Sequence, residues 1–196
     1  SNNQDVGEDQ SNVKVLGFSV EADDSSELNV KSVRLELGSI STNTASDKFE
    51  DYADSVSIWY GSTKVAEVDG EDFNDDNDYK KTISFSSDAI VKAGKTGNFY
   101  VAISGASNLD SDDIGEDWSV DVTTVRWVDA QGATISEDPS LSTRSFSFES
   151  FSTANDVELK LTESTENPDA SVVMADQNDS TDGVVLLKGK LKAQGS

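Results

Sequence analysis

Apolar and polar residues alternate along most of this chain wherever apolar residues are dense. Segments such as "DSVSIWY" and "NFYVAIS" put every second side chain on one face, which is the period of a β-strand. No stretch sustains a helical period, and Asp outnumbers Glu 25 to 13, which suits turns better than helices. Short alternating segments bounded by Gly, Asn, Asp and Ser predict an all-β fold, an antiparallel β-sandwich.

Two of these segments change face in the middle. In "LNVKSVRLEL" the apolar positions change parity at Lys31-Ser32, and in "WSVDVTTVRWV" they change parity at Thr123-Thr124. A single extra residue of this kind is what a β-bulge leaves in a sequence. We therefore predict two long strands, each with a bulge near its centre.

The spacing of strands and turns divides the chain into four parts. Residues 1–10 are polar and predict a flexible acidic segment, and residues 11–153 predict the sandwich, with about seven to nine strands. Residues 154–170 read as an exit strand and a linker that contains Pro168. Residues 171–196 hold one further strand, which we expect to complete an adjacent module or subunit.

The last apolar segment of the chain resembles the first one. Laid over each other without a gap, "VKVLGFSVEADDS" (from Val13) and "VVLLKGKLKAQGS" (from Val184) share four residues, and each follows a polar, acidic stretch. A lone apolar strand cannot bury itself. We expect the final strand to begin the next module of a tandem array or to be donated to a neighbouring copy. The alternative is that it folds back and pairs within its own domain.

Seven residues of the final segment carry this expectation. The apolar ones would be buried across the joint, where four such side chains contribute roughly 6–10 kcal/mol before ordering costs. The lysines would meet an acidic body, which favours head-to-tail docking. The apolar residues are Val184, Leu186, Leu187 and Leu191, and the lysines are Lys188, Lys190 and Lys192.

The net charge of −23, from 38 acidic and 15 basic residues, limits the partners. Such a surface repels nucleic-acid phosphates and anionic lipid, and no apolar run reaches the roughly 18 residues that span a bilayer. We expect neither nucleic-acid binding nor membrane insertion. Because the chain has no cysteine and no histidine, it has no disulfides and no imidazole or thiolate catalysis.

A glycosidase is the common hydrolase that needs only two carboxylates. Its acid must be buried so that its pKa is raised. The acidic residues of this chain instead cluster in turns among Ser and Asn. We therefore predict that the protein is not an enzyme.

Two loops concentrate the oxygen ligands that calcium prefers, and calcium is the one cofactor we consider. The second loop starts like an EF-hand with Gly115 at the sixth position, but Ile114 takes a ligand position and Asp121 stands where a bidentate Glu belongs. The alternative is that both loops are solvated turns. The candidate ligands are Asp69, Glu71, Asp72, Asp75, Asp76 and Asp78 in the first loop, and Asp110, Asp112, Asp113 and Glu116 in the second.

Three tryptophans could stack against sugars or pack in the core. Trp118 and Trp127 share the parity of the apolar residues around them, which favours the core. Trp59 is out of phase with Ile58 and Tyr60, so we expect it to be exposed and to serve as a stacking platform or an inter-subunit contact.

Four stretches carry a resemblance to known proteins: "VKVLGFSVEADDSSELNVKSVRLEL", "DSVSIWYGSTKVAE", "DAIVKAGKTGNFYVAIS" and "NDVELKLTESTENPDASV". In them the chain resembles the immunoglobulin-like repeats of large secreted surface proteins from uncultivated, small-genome bacteria. The resemblance implies an antiparallel immunoglobulin-like β-sandwich with an extra C-terminal strand. It covers nearly the whole chain, and it implies a structural or fibre role at the cell surface with no catalytic residues. On this interpretation the partners are copies of the chain or neighbouring repeats, joined by β-strand addition. The rival hypothesis is a surface-displayed module that binds carbohydrate or mediates calcium-dependent adhesion.

Overall fold

The computed structural model describes residues 3–40, 48–107, 109, 116–149, 158–163 and 189–194. They form two compact units, Ser1–Ala154 and Asn155–Ser196. The helical segments described are three 3₁₀ turns of three residues each, Phe49–Asp51, Gly70–Asp72 and Asp75–Asn77. The strands are β1 (Asn3–Gly7), β2 (Val13–Glu21), β3 (Leu28–Ser39), β4 (Ala53–Tyr60), β5 (Thr63–Asp69), β6 (Lys80–Val91), β7 (Thr96–Gly105), β8 (Glu116–Asp129), β9 (Thr134–Glu137), β10 (Arg144–Glu149), β11 (Glu158–Glu163) and β12 (Gly189–Gln194).

The first unit contains two sheets, which confirms the all-β sandwich. The first sheet has the order β1-β10-β8-β3-β6, with β9 also paired to β8, and the second sheet has the order β2-β7-β4-β5. Among the described strands the pairing is antiparallel, except that β1 runs parallel to β10. Buried and exposed positions alternate along β2 and β7, as a sheet with one solvated face requires.

Both bulges lie where the sequence predicts them. The register of β3 shifts between Val30 and Ser32 against both of its neighbours. In β8 the partner of Arg34 is Thr124 and the partner of Leu35 is Val122, so Thr123 is the extra residue. Each bulge keeps apolar residues on the inner face of a strand that would otherwise turn them to solvent.

Aromatic side chains fill one end of the core. Trp118 is fully buried and contacts Phe49 edge-to-face with ring centroids 5.0 Å apart. Tyr52 and Phe148 stack at 5.4 Å beside it. Trp118 is therefore a core residue, as its parity predicts, whereas Trp127 is only half-buried and packs at the margin of the core.

Part of the N-terminal segment, residues 1–10, is ordered in the structure, which differs from the predicted flexible segment. Residues 3–7 of the segment expected to be flexible form β1, and Val6 is fully buried against the core. A parallel edge strand with one buried side chain leaves no alternating pattern, so the polar residues around Val6 conceal it in the sequence.

In the second unit β11 pairs with β12 in an antiparallel two-stranded sheet. Its register places Leu161 opposite Leu191, Leu159 opposite Ala193, and Lys160 opposite Lys192. Directly paired positions share a face of a sheet, so the apolar positions lie on one face and the lysines on the other.

Candidate functional site

Strand β2 forms one edge of the sandwich among the strands that the structure describes. Within the described residues β2 pairs with β7 on one side, and its other side ends the second sheet. A groove of about 280 Å³ runs beside this edge, between β2 and the first sheet. It is lined mainly by Phe18, Val20, Leu28, Val125, Trp127 and Glu137.

Strand β9 presents an apolar residue to solvent beside the groove. Ile135 pairs with Trp127, so the two positions share the inner face of the first sheet. Yet Ile135 is 42% exposed, and all four positions of β9 are exposed. An isoleucine on the inner face of the first sheet is thus left largely in solvent. Sequence reasoning missed Ile135, since a four-residue strand gives too short an alternation.

The structure describes part of the predicted donor strand. Lys190, Leu191 and Lys192 lie in β12 and pair with β11 of the same chain. The other four predicted residues, Val184, Leu186, Leu187 and Lys188, lie outside the described residues. The described pairing joins the final strand to the exit strand, and the prediction that it adds to another module stays a prediction.

The first acid-rich loop is organised by amide side chains. Asn74 Nδ2 donates to the carbonyl of Glu71 over 2.8 Å, and Asn77 Nδ2 donates to the carbonyl of Asp72 over 2.8 Å. The Asp72 carboxylate pairs with Lys81 at 2.7 Å. The remaining candidate ligands of this loop, Asp69, Glu71, Asp75, Asp76 and Asp78, are exposed. The turn is thus folded by its own hydrogen bonds, with most of its carboxylates in solvent.

The second acid-rich loop contributes one buried carboxylate. Glu116, the first residue of β8, is only 4% exposed, and its Oε2 has no hydrogen-bond partner. Burying a carboxyl oxygen without a partner is costly, so this atom is a candidate ligand for a cation. Asp110, Asp112 and Asp113 lie outside the described residues. Across the residues that are described, no three acidic side chains converge closely enough to hold a metal ion.

The outer face of the second sheet carries an aromatic pair. Trp59 on β4 is directly opposite Tyr100 on β7, and both are half-buried. The Trp59 Nε1 donates to Ser57 Oγ over 3.0 Å, and the Lys14 ammonium lies 3.9 Å from the centre of the Tyr100 ring. Gly17 leaves room for that ring, because a Cβ there would stand 3.3 Å from Tyr100 Cδ1. The expected exposure of Trp59 is thus partial, and Tyr100 was missed because only the register makes it a neighbour.

Two carboxylates have pKa values below their ordinary value of 3.8. The Lys31 ammonium lowers the pKa of Asp88 through a hydrogen bond of 2.8 Å and its charge, and Asn29 adds a second hydrogen bond. The pKa of Asp23 is lowered by hydrogen bonds from the Ser25 hydroxyl and amide. Both groups are structural: Asp88 ties β6 to β3 beside the bulge, and Asp23 closes the turn after β2.

Comparison with known proteins finds no matching family model and no similar curated protein. None of the described segments is a helix of the length and apolar character needed to cross a membrane. The interpretation of this chain therefore rests on its own residues and geometry.

Proposed function

We propose that this protein is a structural, extracellular module of a cell-surface fibre or repeat array. The module is joined to its neighbours by β-strand addition from the C-terminal unit. The observation that supports this most directly is the resemblance of the final segment to the β2 segment, with four identical residues among thirteen, in a unit of only two described strands.

A two-stranded sheet of six-residue strands is a poor fold by itself. A two-stranded sheet of this size is marginally stable in water, and within the described residues of this unit no second layer covers its apolar face. The apolar positions 159, 161, 191 and 193 share one face of the β11–β12 sheet. Packing against a further layer would bury that face, and a neighbouring module is the natural source of one.

The distribution of charge favours head-to-tail association. The chain carries a net charge of −23, yet three lysines fall within five residues of the final segment, at positions 188, 190 and 192. Two acidic bodies repel each other, whereas a basic strand against an acidic body attracts. A heterologous contact of this type produces linear arrays rather than closed dimers.

Substitution in the second unit tests the proposal. The double variant Leu161→Asp/Leu191→Asp places charge on the apolar face of the β11–β12 sheet. Its matched control is Ser62→Asp, which adds charge at an exposed turn residue of the first unit. We expect sedimentation velocity to show self-association of the native chain and of the control at high protein concentration, and monomers for the double variant. A native chain that sediments as a monomer at every concentration would refute the proposal.

A second candidate function is the binding of carbohydrate. It is supported by Trp59 and Tyr100, which form an adjacent, half-buried aromatic pair on the outer face of a sheet. Flat aromatic surfaces of this kind stack against sugar rings. Retention on immobilised polysaccharides, lost in Trp59→Ala and in Tyr100→Ala, would support this function. Failure of the native chain to bind any of a broad polysaccharide panel would remove it.

The second candidate function has another form, calcium-dependent adhesion. It is supported by the buried Glu116 Oε2, which has no hydrogen-bond partner. We expect that a calcium-binding module would gain thermal stability in millimolar calcium, and that Glu116→Gln would remove this gain. Asp112→Asn and Asp75→Asn report on the two loops separately. Equal stabilisation by calcium and by sodium at matched ionic strength would show charge screening instead of a site.

A further inference from the structure

The open edge of β2 and the second unit together point to a specific joint. We infer that the β2 edge accepts strand β11 from a second copy of this chain, antiparallel and in the register that β11 has with β12. This inference rests on the proposed function, and it names both the acceptor edge and the donor strand.

The register follows from the repeat. Val184 aligns with Val13 without gaps, so Leu191 of β12 corresponds to Val20 of β2, and Ala193 corresponds to Ala22. Because β7 already pairs with one edge of β2 at these positions, β11 would take the same partner positions on the other edge. The transferred register places Leu161 opposite Val20 and Leu159 opposite Ala22.

The groove beside β2 suits such a strand. Val20 faces the groove and is half-buried, and Ala22 is 2% exposed. A strand added at this edge lies opposite β9 in the other sheet, since sheets of a sandwich stack face to face. It would therefore cover Trp127 and Leu28, which line the groove and are only half-buried, and the exposed Ile135 on β9 beside it.

The charge at one paired position, that of Lys160, favours the exchange over the pairing within one chain. In the β11–β12 sheet Lys160 stands directly opposite Lys192, and like charges at paired positions destabilise a sheet. The position on β2 that corresponds to Lys192 is Glu21, which is exposed. At this position, transfer of β11 to β2 replaces a repulsive pair with an attractive one. At the end of the strand, Glu158 would leave Gln194 and come opposite Asp23.

Strand β12 then acts as the competitor of β2. It holds β11 within its own chain at low concentration, and the edge of a second copy takes β11 as the protein concentration rises. Exchange of one strand between identical chains is a common and inexpensive route to assembly.

Disulfide trapping in full-length chains tests the register, and the chain has no native cysteine to interfere. In the β11–β12 sheet Thr162 pairs with Lys190, and the position on β2 that corresponds to Lys190 is Ser19. In the proposed joint, Ser19→Cys of one chain should therefore lie directly opposite Thr162→Cys of another. Glu163→Cys is the matched control, because the next residue along a strand points to the opposite face. We expect the Ser19→Cys and Thr162→Cys mixture to form at least about tenfold more mixed disulfide than the control mixture.

A charge exchange gives an independent measurement. Glu21→Lys and Lys160→Glu should each weaken self-association, by up to about fivefold in the dissociation constant. A mixture of the two variants should restore it, since the Lys at position 21 of one chain then meets the Glu at position 160 of the other.

Two outcomes would overturn the inference. The first is a yield of mixed disulfide no higher than that of the control. The second is cross-linking of Thr162→Cys to Lys64→Cys on β5, the opposite edge of the same sheet, in preference to Ser19→Cys. Self-association that persists in either case leaves the proposed function standing with a different joint, whereas a native chain that never associates removes both.

Discussion

At the scale of single residues, hydrogen bonds at the bulge of β3 connect sequence to stability. Asp88 on β6 accepts from Lys31 and from Asn29, and Asn29 Oδ1 accepts from the amide of Ala89 over 3.2 Å. These contacts bridge the shifted part of the β3–β6 register, where the register passes from Val30–Ala89 to Ser32–Ser84. Side chains thus supply partners where the regular ladder is interrupted.

We predict that Asp88→Asn destabilises the protein at neutral pH and not in acid. The pKa of Asp88 is lowered in the folded state, so the stabilisation by its charge is complete above the ordinary value of 3.8 and is lost as the pH falls through the folded pKa. Urea unfolding of both proteins at a series of pH values checks this. The prediction would be contradicted if the difference in unfolding free energy between the native protein and Asp88→Asn were as large in acid as at neutral pH.

The buried tryptophan gives a second prediction at this scale. Trp118→Ala should lower the free energy of unfolding by about 3–5 kcal/mol, because it empties the centre of an aromatic cluster. Trp127→Ala is the matched control and should cost clearly less, since Trp127 is half-buried. Equal losses in urea unfolding would show that the core does not centre on Trp118.

The role of a residue was predictable from sequence where it depends only on which face of its strand the residue occupies. Trp118 shares its strand's inner parity, and Trp59 does not. Tyr100 and Ile135 gain their significance from strands that are distant in sequence, through pairing with Trp59 and Trp127. Pairing between distant strands leaves no local signal, so no reading of one segment could identify them.

At the scale of elements, the two bulges were predictable and β1 was not. A bulge shifts the parity of a long apolar strand, which the sequence records directly. The parallel pairing of β1 with β10 depends on one buried side chain, Val6, in a polar segment. The edge of β2 and the pairing of β11 with β12 likewise depend on the arrangement of whole sheets.

We predict that the amides of β11 and β12 exchange with solvent faster than those of β3 and β8 in dilute protein. β3 and β8 have partners on both sides, whereas the two-stranded sheet has one ladder. The protection of β11 should rise with protein concentration if a second copy accepts it. Hydrogen exchange followed by mass spectrometry measures both effects, and protection of β11 that is high and independent of concentration would oppose strand exchange.

At the scale of the whole molecule, charge opposes the compact state. A net charge of −23 on a chain of 196 residues creates self-repulsion that salt screens. We predict that the melting temperature rises between about 0.01 M and about 0.5 M sodium chloride. A scan of the melting temperature against salt, with calcium compared at equal ionic strength, separates screening from a bound ion. A melting temperature that falls with salt would show that attractive pairs dominate.

The mass distribution of the intact chain and of residues 1–154 tests the central claim most directly. Light scattering and negative-stain microscopy would be applied across protein concentration, with circular dichroism to confirm that the shortened chain keeps its sheets. Modules joined through the C-terminal unit predict concentration-dependent linear oligomers of the intact chain and folded monomers of the shortened one. Two folded monomers, alike at every concentration, would contradict the claim.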